Sequence, residues 1–401
     1  ATHTAYGQKA IPVAAFKRYG LLNLISRVEF IVGSQTWQTL ENKDILAVLK
    51  TEMDSGEWNQ LTAAAEGNHT TDGIRAVRDW ERCIFAEVGC KCTLKLPLLT
   101  KSLMSKMIKN NFHAVNGHMC AVANNQTVRI KLHFASADQV FSLGSATATD
   151  FSSTPKNSDF TFTVDMTGKQ YIMVNAERAA VQNMDMHKVV HSTQNVSHQL
   201  EFVKDKASSA IDCDNFSLCA SHLLVSIDNL DTTFHGSSDG TTDNLGSSAV
   251  SIINPKATID AGSANLAVYD TVSADGLQGR YALGSITSCE VYLNSTSHTG
   301  TPLTGPLLGH IAPASLGLYA PEENIGPNNR HPAGVAFAVF PLADIAYSYG
   351  SSVPLNRFDG IRVKLVTNAS TKSGKTSTVN VTCVGSTTVL YQNSAAALTQ
   401  Y

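Results

Sequence analysis

The stretch Gly334-Val335-Ala336-Phe337-Ala338-Val339-Phe340-Pro341-Leu342 is an apolar run stopped by a proline. After a short Tyr/Ser/Gly loop the chain reads Pro354-Leu355-Asn356-Arg357-Phe358-Asp359-Gly360, then places Ile361, Val363 and Leu365 at every second position. Alternation with a period of two is the mark of a strand that buries one face and wets the other. A proline at the end of an apolar run closes a strand, because it cannot donate to a ladder. Together these signals constrain this part of the chain to strand, turn, strand.

The same punctuation recurs along the chain. Strands are expected at residues 24–33, 92–97, 128–134, 160–164, 171–174, 200–203, 223–227, 250–253, 266–269, 289–293, 361–365, 378–384 and 389–391. Gly/Ser/Asp/Thr-rich stretches at 237–248, 294–306 and 321–333 read as loops. Helices are few. Asn42 or Asp44 is placed to cap one through Ile45, Leu46, Val48 and Leu49, which Gly56 should interrupt before a second helical stretch around Trp58, Leu61 and Ala63. Another is expected at 100–109, where Leu103, Met104, Met107 and Ile108 share a face. Residues 1–20 read as an extended arm, and the pattern loosens between about 180 and 200, the expected domain boundary. Many short strands separated by turns imply sandwiches, and 401 residues are enough for two domains of about 200 each. The expected fold is all-β: two consecutive eight-stranded jelly-roll β-sandwiches over 21–190 and 191–401, with short helices in the connecting loops.

Three segments, in order, resemble the double jelly-roll major capsid proteins of tailless icosahedral DNA viruses. The first is Leu94-Lys95-Leu96-Pro97-Leu98-Leu99, a helix, then Val128-Arg129-Ile130-Lys131-Leu132. The second is the 334–365 block, which is the most specific of the three. The third is Thr378-Val379-Asn380-Val381-Thr382-Cys383-Val384 followed by Thr388-Val389-Leu390-Tyr391. They cover under a quarter of the chain. The resemblance implies a shell protein, not an enzyme. Three chains would form a pseudo-hexagonal capsomer that contacts neighbouring capsomers, minor capsid, vertex and membrane proteins, often above an internal lipid membrane. It implies a location in the virion after assembly in the host cell. It also marks Pro354, Asn356, Arg357, Phe358 and Asp359 as a structural turn. Read from the residues alone, that turn is expected to hold itself, through its own Asn or Asp side chain bonded to nearby backbone amides, with Phe358 pointing inward.

Composition fits this reading. Charged residues are only 16% of the chain, as expected where much surface is buried in an assembly. Formal net charge is −3 and no run of five basic residues occurs, so direct nucleic-acid binding is not expected. No apolar run approaches the length of a membrane helix and no signal peptide opens the chain; its first Ala is expected to follow a removed Met. The cysteines (Cys83, Cys90, Cys92, Cys120, Cys213, Cys219, Cys289 and Cys383) are expected to be buried thiols.

Motifs with catalytic or ligand-binding potential fail on context, so no cofactor or metal is expected. His187 and His191 are four apart but lack the Glu of a zinc-protease helix. Asp212 and Asp214 begin like a calcium loop, yet Ser217 and Leu223 stand where Gly and Glu are needed. Gly236-Ser237-Ser238-Asp239-Gly240 spells a nucleophile elbow without a following helix. Residues 369–376 approach a phosphate loop, but strand-forming Thr378, Val379 and Val381 follow. The alternative class is a two-domain β-sandwich that binds carbohydrate or acts as an adhesive surface module.

Overall fold

The computed structural model describes residues 14–16, 20–65, 92–94, 96, 126–135, 141–143, 161–166, 174–176, 179, 186–202, 208–228, 286–305, 307–319, 337–346, 351–367, 375–392 and 395–399. In chain order the strands are β1 (Ala14–Phe16), β2 (Ile25–Val32), β3 (Gln35–Glu41), β4 (Val128–Phe134), β5 (Phe141–Leu143), β6 (Met186–Phe202), β7 (Ser208–Asp212) and β8 (Cys219–Asp228). They continue as β9 (Ile286–Leu293), β10 (Thr296–Ser297), β11 (Leu303–Thr304), β12 (Phe337–Pro341), β13 (Val353–Pro354), β14 (Ile361–Thr367), β15 (Lys375–Gln392) and β16 (Ala395–Thr399). The α-helices are α1 (Asn42–Glu52), α2 (Ser55–Ala65) and α3 (Ala312–Ser315). The fold is all-β, with every strand pairing antiparallel.

Two sheets make the larger sandwich. One has the order β10-β9-β14-β7, with β11 also on β9. The other is built on β15. Strand β6 runs along one edge of β15 from Lys375 to Tyr391, so β8 (on Thr378 to Ser386) and β16 (on Thr388 to Gln392) must share the opposite edge. Strands β12 and β13 then follow one another along β8. Between the sheets, Ile211, Cys289, Val291, Val363 and Leu365 meet Leu223, Val225, Ala338, Phe340, Val379, Val381 and Cys383 in one core.

The β15 sheet is covered on its back as well. Leu224, Val339 and Val384 point away from that core and pack against Ala47 and Val48 of α1 and against Leu316, Leu318 and Ala346. This explains the unbroken apolar run of Phe337–Pro341. In β12, Ala338 and Phe340 face one core and Val339 the other, so no position in that trio is left for a polar residue. Strand β14 has only one buried face: Ile361, Val363 and Leu365 are inward while Arg362 and Lys364 are exposed, and its sequence alternates.

A second core forms where the sheet β3-β2-β4 packs on the helices. Val28, Phe30, Val32, Trp37 and Leu40 meet Ile45 and Leu49 of α1 and Trp58, Leu61 and Ala65 of α2. Val190 of β6 and Val389 of β15 close it. Helix α1 is therefore wedged between the second core and the back of the β15 sheet. The 190/191 division expected from the sequence falls inside β6.

Several local expectations change. Residues 180–200, read as loosening, contain most of the 17-residue β6. Their polar side chains serve cross-strand hydrogen bonds, which erases the apolar alternation. The two C-terminal strands expected at 378–384 and 389–391 are one 18-residue strand, β15. Cys92, Thr93, Leu94 and Leu96 lie in no strand, although Cys92, Leu94 and Leu96 pack on the second core. Thr161 to Val164 is exposed and outside any ladder. Glu41 occupies the N-cap position of α1 and Asp44 caps it from the third helical position by accepting the Glu41 amide, whereas Asn42 instead donates to the carbonyls of Leu22 and Ile25. The helical break comes at Asp54, whose side chain accepts the Glu57 amide, ahead of Gly56. Of the expected arm, Ala14–Phe16 pairs with β5 and residues 1–13 lie outside the described residues. So do the strands expected at 250–253 and 266–269, the helix at 100–109, and the loops at 237–248 and 321–333.

The register of β15 on β8 shifts between Val384 and Gly385. A Cβ at Gly385 would stand 2.4 Å from the Cys219 carbonyl oxygen and 2.9 Å from its carbon, both backbone atoms. Replacing Gly385 with Ala must push β8 and β15 apart. The expected cost is about 2 kcal/mol, on the scale of overpacked cores, read as a lower urea midpoint at unchanged slope; an unaltered midpoint would refute the close approach.

Candidate functional site

The turn singled out in the sequence lies at the end of the larger sandwich. Val353 and Pro354 pair with Ala220 and Cys219, and a 3₁₀ turn spans Leu355–Arg357. Leu355 is fully buried, and its amide donates to the Leu218 carbonyl at 3.0 Å. Phe358 is half-buried and packs against the core, while Asn356, Arg357 and Asp359 are exposed. Pro354 fixes the entry to the turn: it can occupy this two-residue strand end because a proline needs no ladder donor there.

Side chains from two other loops hold the exit of the turn. Oδ1 of Asn294 accepts the amides of Asp359, at 2.8 Å, and Gly360, at 3.1 Å. The Asn294 amide donates back to the Gly360 carbonyl at 2.8 Å. Oδ1 of Asp214 accepts the Ile361 amide at 2.8 Å, and the Cys213 amide donates to the Ile361 carbonyl at 2.7 Å. Asn294 and Ser295 form the two-residue hairpin between β9 and β10, with φ of 49° and 68°. Asn tolerates this left-handed backbone because its short side chain bonds locally. One residue thus turns the hairpin and clamps the neighbouring loop. The signal for Asn294 was present in the sequence as Asn-Ser after an alternating strand; the distance of 65 residues to its partner was not.

The Asp212/Asp214 pair is accounted for in the same way. Asp214 clamps Ile361, and exposed Asp212 pairs with Arg362 at 2.8 Å. Among the described residues, no three His, Cys, Asp or Glu side chains gather as a metal site. His187 and His191 sit on a strand, not on a helix. Burial lowers His191 to about 4 and His222 to about 3, so both are neutral at ordinary pH. Cys213, Cys289 and Cys383 are buried thiols, and burial pushes Cys213 up to about 12 and raises Cys289 and Cys383 as well. Such thiols are inert. The elbow-like string at 236–240 lies outside the described residues, and Lys375 and Thr376 of the phosphate-loop-like string are in β15.

The structure adds a polar centre around Asp44, which the sequence places only as a candidate helix cap. Asp44 is 1% exposed at the third residue of α1. Its Oδ1 accepts from Asn195 Nδ2 of β6 and from Thr382 Oγ1 of β15, both at 2.6 Å, and its Oδ2 accepts the Glu41 amide at 3.0 Å. Ser197 extends the array by donating to Asn195 and Asn380. One carboxylate therefore caps α1 and pins it to the long ribbon of β6 and β15. Burial raises the Asp44 pKa, against the opposing pull of its hydrogen bonds from Thr382, Asn195 and the Glu41 amide.

No known family model matches this sequence, and no curated protein sequence matches it. Solved structures do resemble the fold. The PBCV-1 virus capsid, in a quasi-atomic model, aligns over 97% of this chain and 88% of that chain, with 10% identity and a TM-score of 0.56. PBCV-1 VP54, fitted into a reconstruction of the virophage Sputnik, aligns over 97% and 88% with 10% identity and a TM-score of 0.55. The Faustovirus major capsid protein aligns over 95% and 74%, at 7% identity and a TM-score of 0.52. The chain has the double jelly-roll fold of viral major capsid proteins. Within that fold, Asn294 and Asp214 hold a turn and Asp44 caps a helix through buried hydrogen bonds.

Two outcomes follow. Replacing Asn294 with Ala removes the acceptor of two amides at an exposed site, for an expected loss of about 1 kcal/mol, seen as a lower melting temperature. For Asp44 the raised folded-state pKa fixes the sign. Its contribution is fully present below the unfolded value near 3.8 and is lost as pH rises through the folded value. The Asp44→Asn variant should therefore gain stability relative to the parent as pH increases from 4 toward neutrality (~3 units). A parallel pair of stability–pH curves would contradict the assignment.

Proposed function

We propose that this chain is a major capsid protein. It acts as a structural subunit that trimerises into pseudo-hexagonal capsomers tiling an icosahedral virion shell, over an internal membrane. The observation that supports the reading is the extent of the likeness: the fold corresponds over 97% of this chain and 88% of the PBCV-1 chain.

Physical arguments support it. Two similar sandwiches in each of three chains present six roughly equivalent edges, which tile a hexagonal lattice, and closed symmetry leaves no interface dangling within the trimer. A chain with 16% charged residues has a surface suited to large contacts. In this reading residues 1–20 form an arm, 21–190 the first jelly roll and 191–401 the second, with the β6–β15 ribbon as a wall common to both. The turn of Pro354, Asn356, Arg357, Phe358 and Asp359 is structural. The partners are neighbouring capsomers and minor capsid, vertex and membrane proteins, and the role is mechanical, not catalytic.

Light scattering after size exclusion tests this directly. One chain is 42.9 kDa. A stable species of three times that mass, with hexagonal outlines in electron micrographs, is expected. A protein that stays monomeric at high concentration and forms no larger assembly would overturn the proposal.

A further inference from the structure

The sheet β3-β2-β4 turns one face to its core and the other to solvent. Along β4, Val128, Ile130 and Leu132 pack inward. Arg129, Lys131 and His133 occupy the alternate, outward positions, about 6.8 Å apart along the strand. On β2, Glu29 stands opposite Lys131 and Arg27 opposite His133. The outward positions of these two strands carry Arg27, Arg129 and Lys131 against Glu29, a surplus of two positive charges (three minus one), and His133 adds a third when protonated. On β3, the one acid opposite this row, Glu41, turns its carboxylate to the Asp44 amide at the start of α1. The chain as a whole is at −3, so the surplus is local.

Glu29 shows what this row of cations receives. Its Oε1 is 2.9 Å from Arg27 Nη2 and 3.0 Å from His133 Nε2, and its Oε2 is 3.6 Å from Lys131 Nζ. Partial burial works against its ionisation, yet Lys131, Arg27 and His133 together hold its carboxyl below the usual range. A carboxylate on an adjacent extended strand is thus already the partner of β4 on one side. On the other side β4 is the edge of its sheet among the described residues. An edge offers alternate backbone donors and acceptors to an added strand. A strand laid there would place every second side chain beside Arg129 and Lys131, at cross-strand pairing distance.

We propose that the outer face of β4, together with the edge that is unpaired among the described residues, docks an extended acidic segment of a partner protein, with carboxylates at alternate residues seated beside Arg129 and Lys131. The spacing favours a polypeptide over other polyanions, because a lipid surface or a nucleic acid gains nothing from the backbone edge and needs no alternate-residue register. The proposal stands on this sheet alone and does not depend on the chain building a shell.

The test uses the full chain and a fluorescent peptide of alternating Glu and Thr, followed by anisotropy. A peptide of the same composition with all its Glu residues in one block serves as the register control. Saturable binding of the alternating peptide is expected, weakened about tenfold for the block peptide, which corresponds to about 1.4 kcal/mol. The variant with Arg129→Glu and Lys131→Glu should abolish it. The neutral pair Arg129→Gln and Lys131→Gln, at an unchanged melting temperature, separates lost binding from lost folding and should also weaken it. Equal affinity for both peptides, an unaffected folded double variant, or binding of phosphatidylserine vesicles or an oligonucleotide in preference to the alternating peptide would each overturn the proposal.

Discussion

The ladder between β6 and β15 is the constraint from which the rest of the arrangement follows. It pairs Phe202 with Lys375 at one end and Met186 with Tyr391 at the other, without a register shift. A strand has only two edges. Because β6 occupies one edge of β15 throughout, every other strand of that sheet must find its place on the remaining one, β8 first and β16 after it. One end of the ribbon supplies Val379, Val381 and Cys383 to the sandwich core, and the other supplies Val190 and Val389 to the core under α1 and α2. A bend or slip in this ribbon would therefore be felt in both cores. A slip of one residue would also reverse which side chains face each core.

Helix α1 turns that ribbon into a fixed frame. Its apolar side chains divide between two clusters, Ile45 and Leu49 to one and Ala47 and Val48 to the other. Apolar packing of this kind holds elements together without specifying a unique angle or register. The Asp44 carboxylate supplies the specificity, since its bonds to Asn195 and Thr382 form only when the helix end and two facing strand positions meet. Burying a carboxylate without a cation is costly, and the donors around Asp44 offset that cost only in the assembled geometry. Position is gained at the expense of stability.

At one end of the sandwich the same logic works through backbone amides. The turn after Pro354 relies on Asn294 and Asp214, each from a different loop, to satisfy the amides of residues 359–361. The turn is thereby coupled to the β9–β10 hairpin and to the loop after β7. Its own Asn356 and Asp359 remain outward. This is why the motif could be recognised as a turn from its residues, while the groups that hold it could not: they are 65 and 147 residues away in the chain.

The sequence alone determined what depends on neighbours along the chain: the all-β class, β2, β4 and β14 close to their observed bounds, the C-terminal parts of β8 and β9, and the two helices after Glu41. These are legible because one-sided burial imprints a period of two or of 3.6 on the residues. The signal weakens when burial is two-sided or absent. Phe337–Pro341 is apolar on both faces, and Met186–Phe202 is polar where it was read as a boundary because Gln194, Asn195 and Ser197 bond side chain to side chain. Tertiary structure alone decided that these strands join in one long ribbon, that Asp44 is buried, and that Asn294 clamps a distant turn. Those outcomes rest on contacts across more than 60 to more than 300 residues of chain, and no local pattern records which distant group will supply a donor or an acceptor.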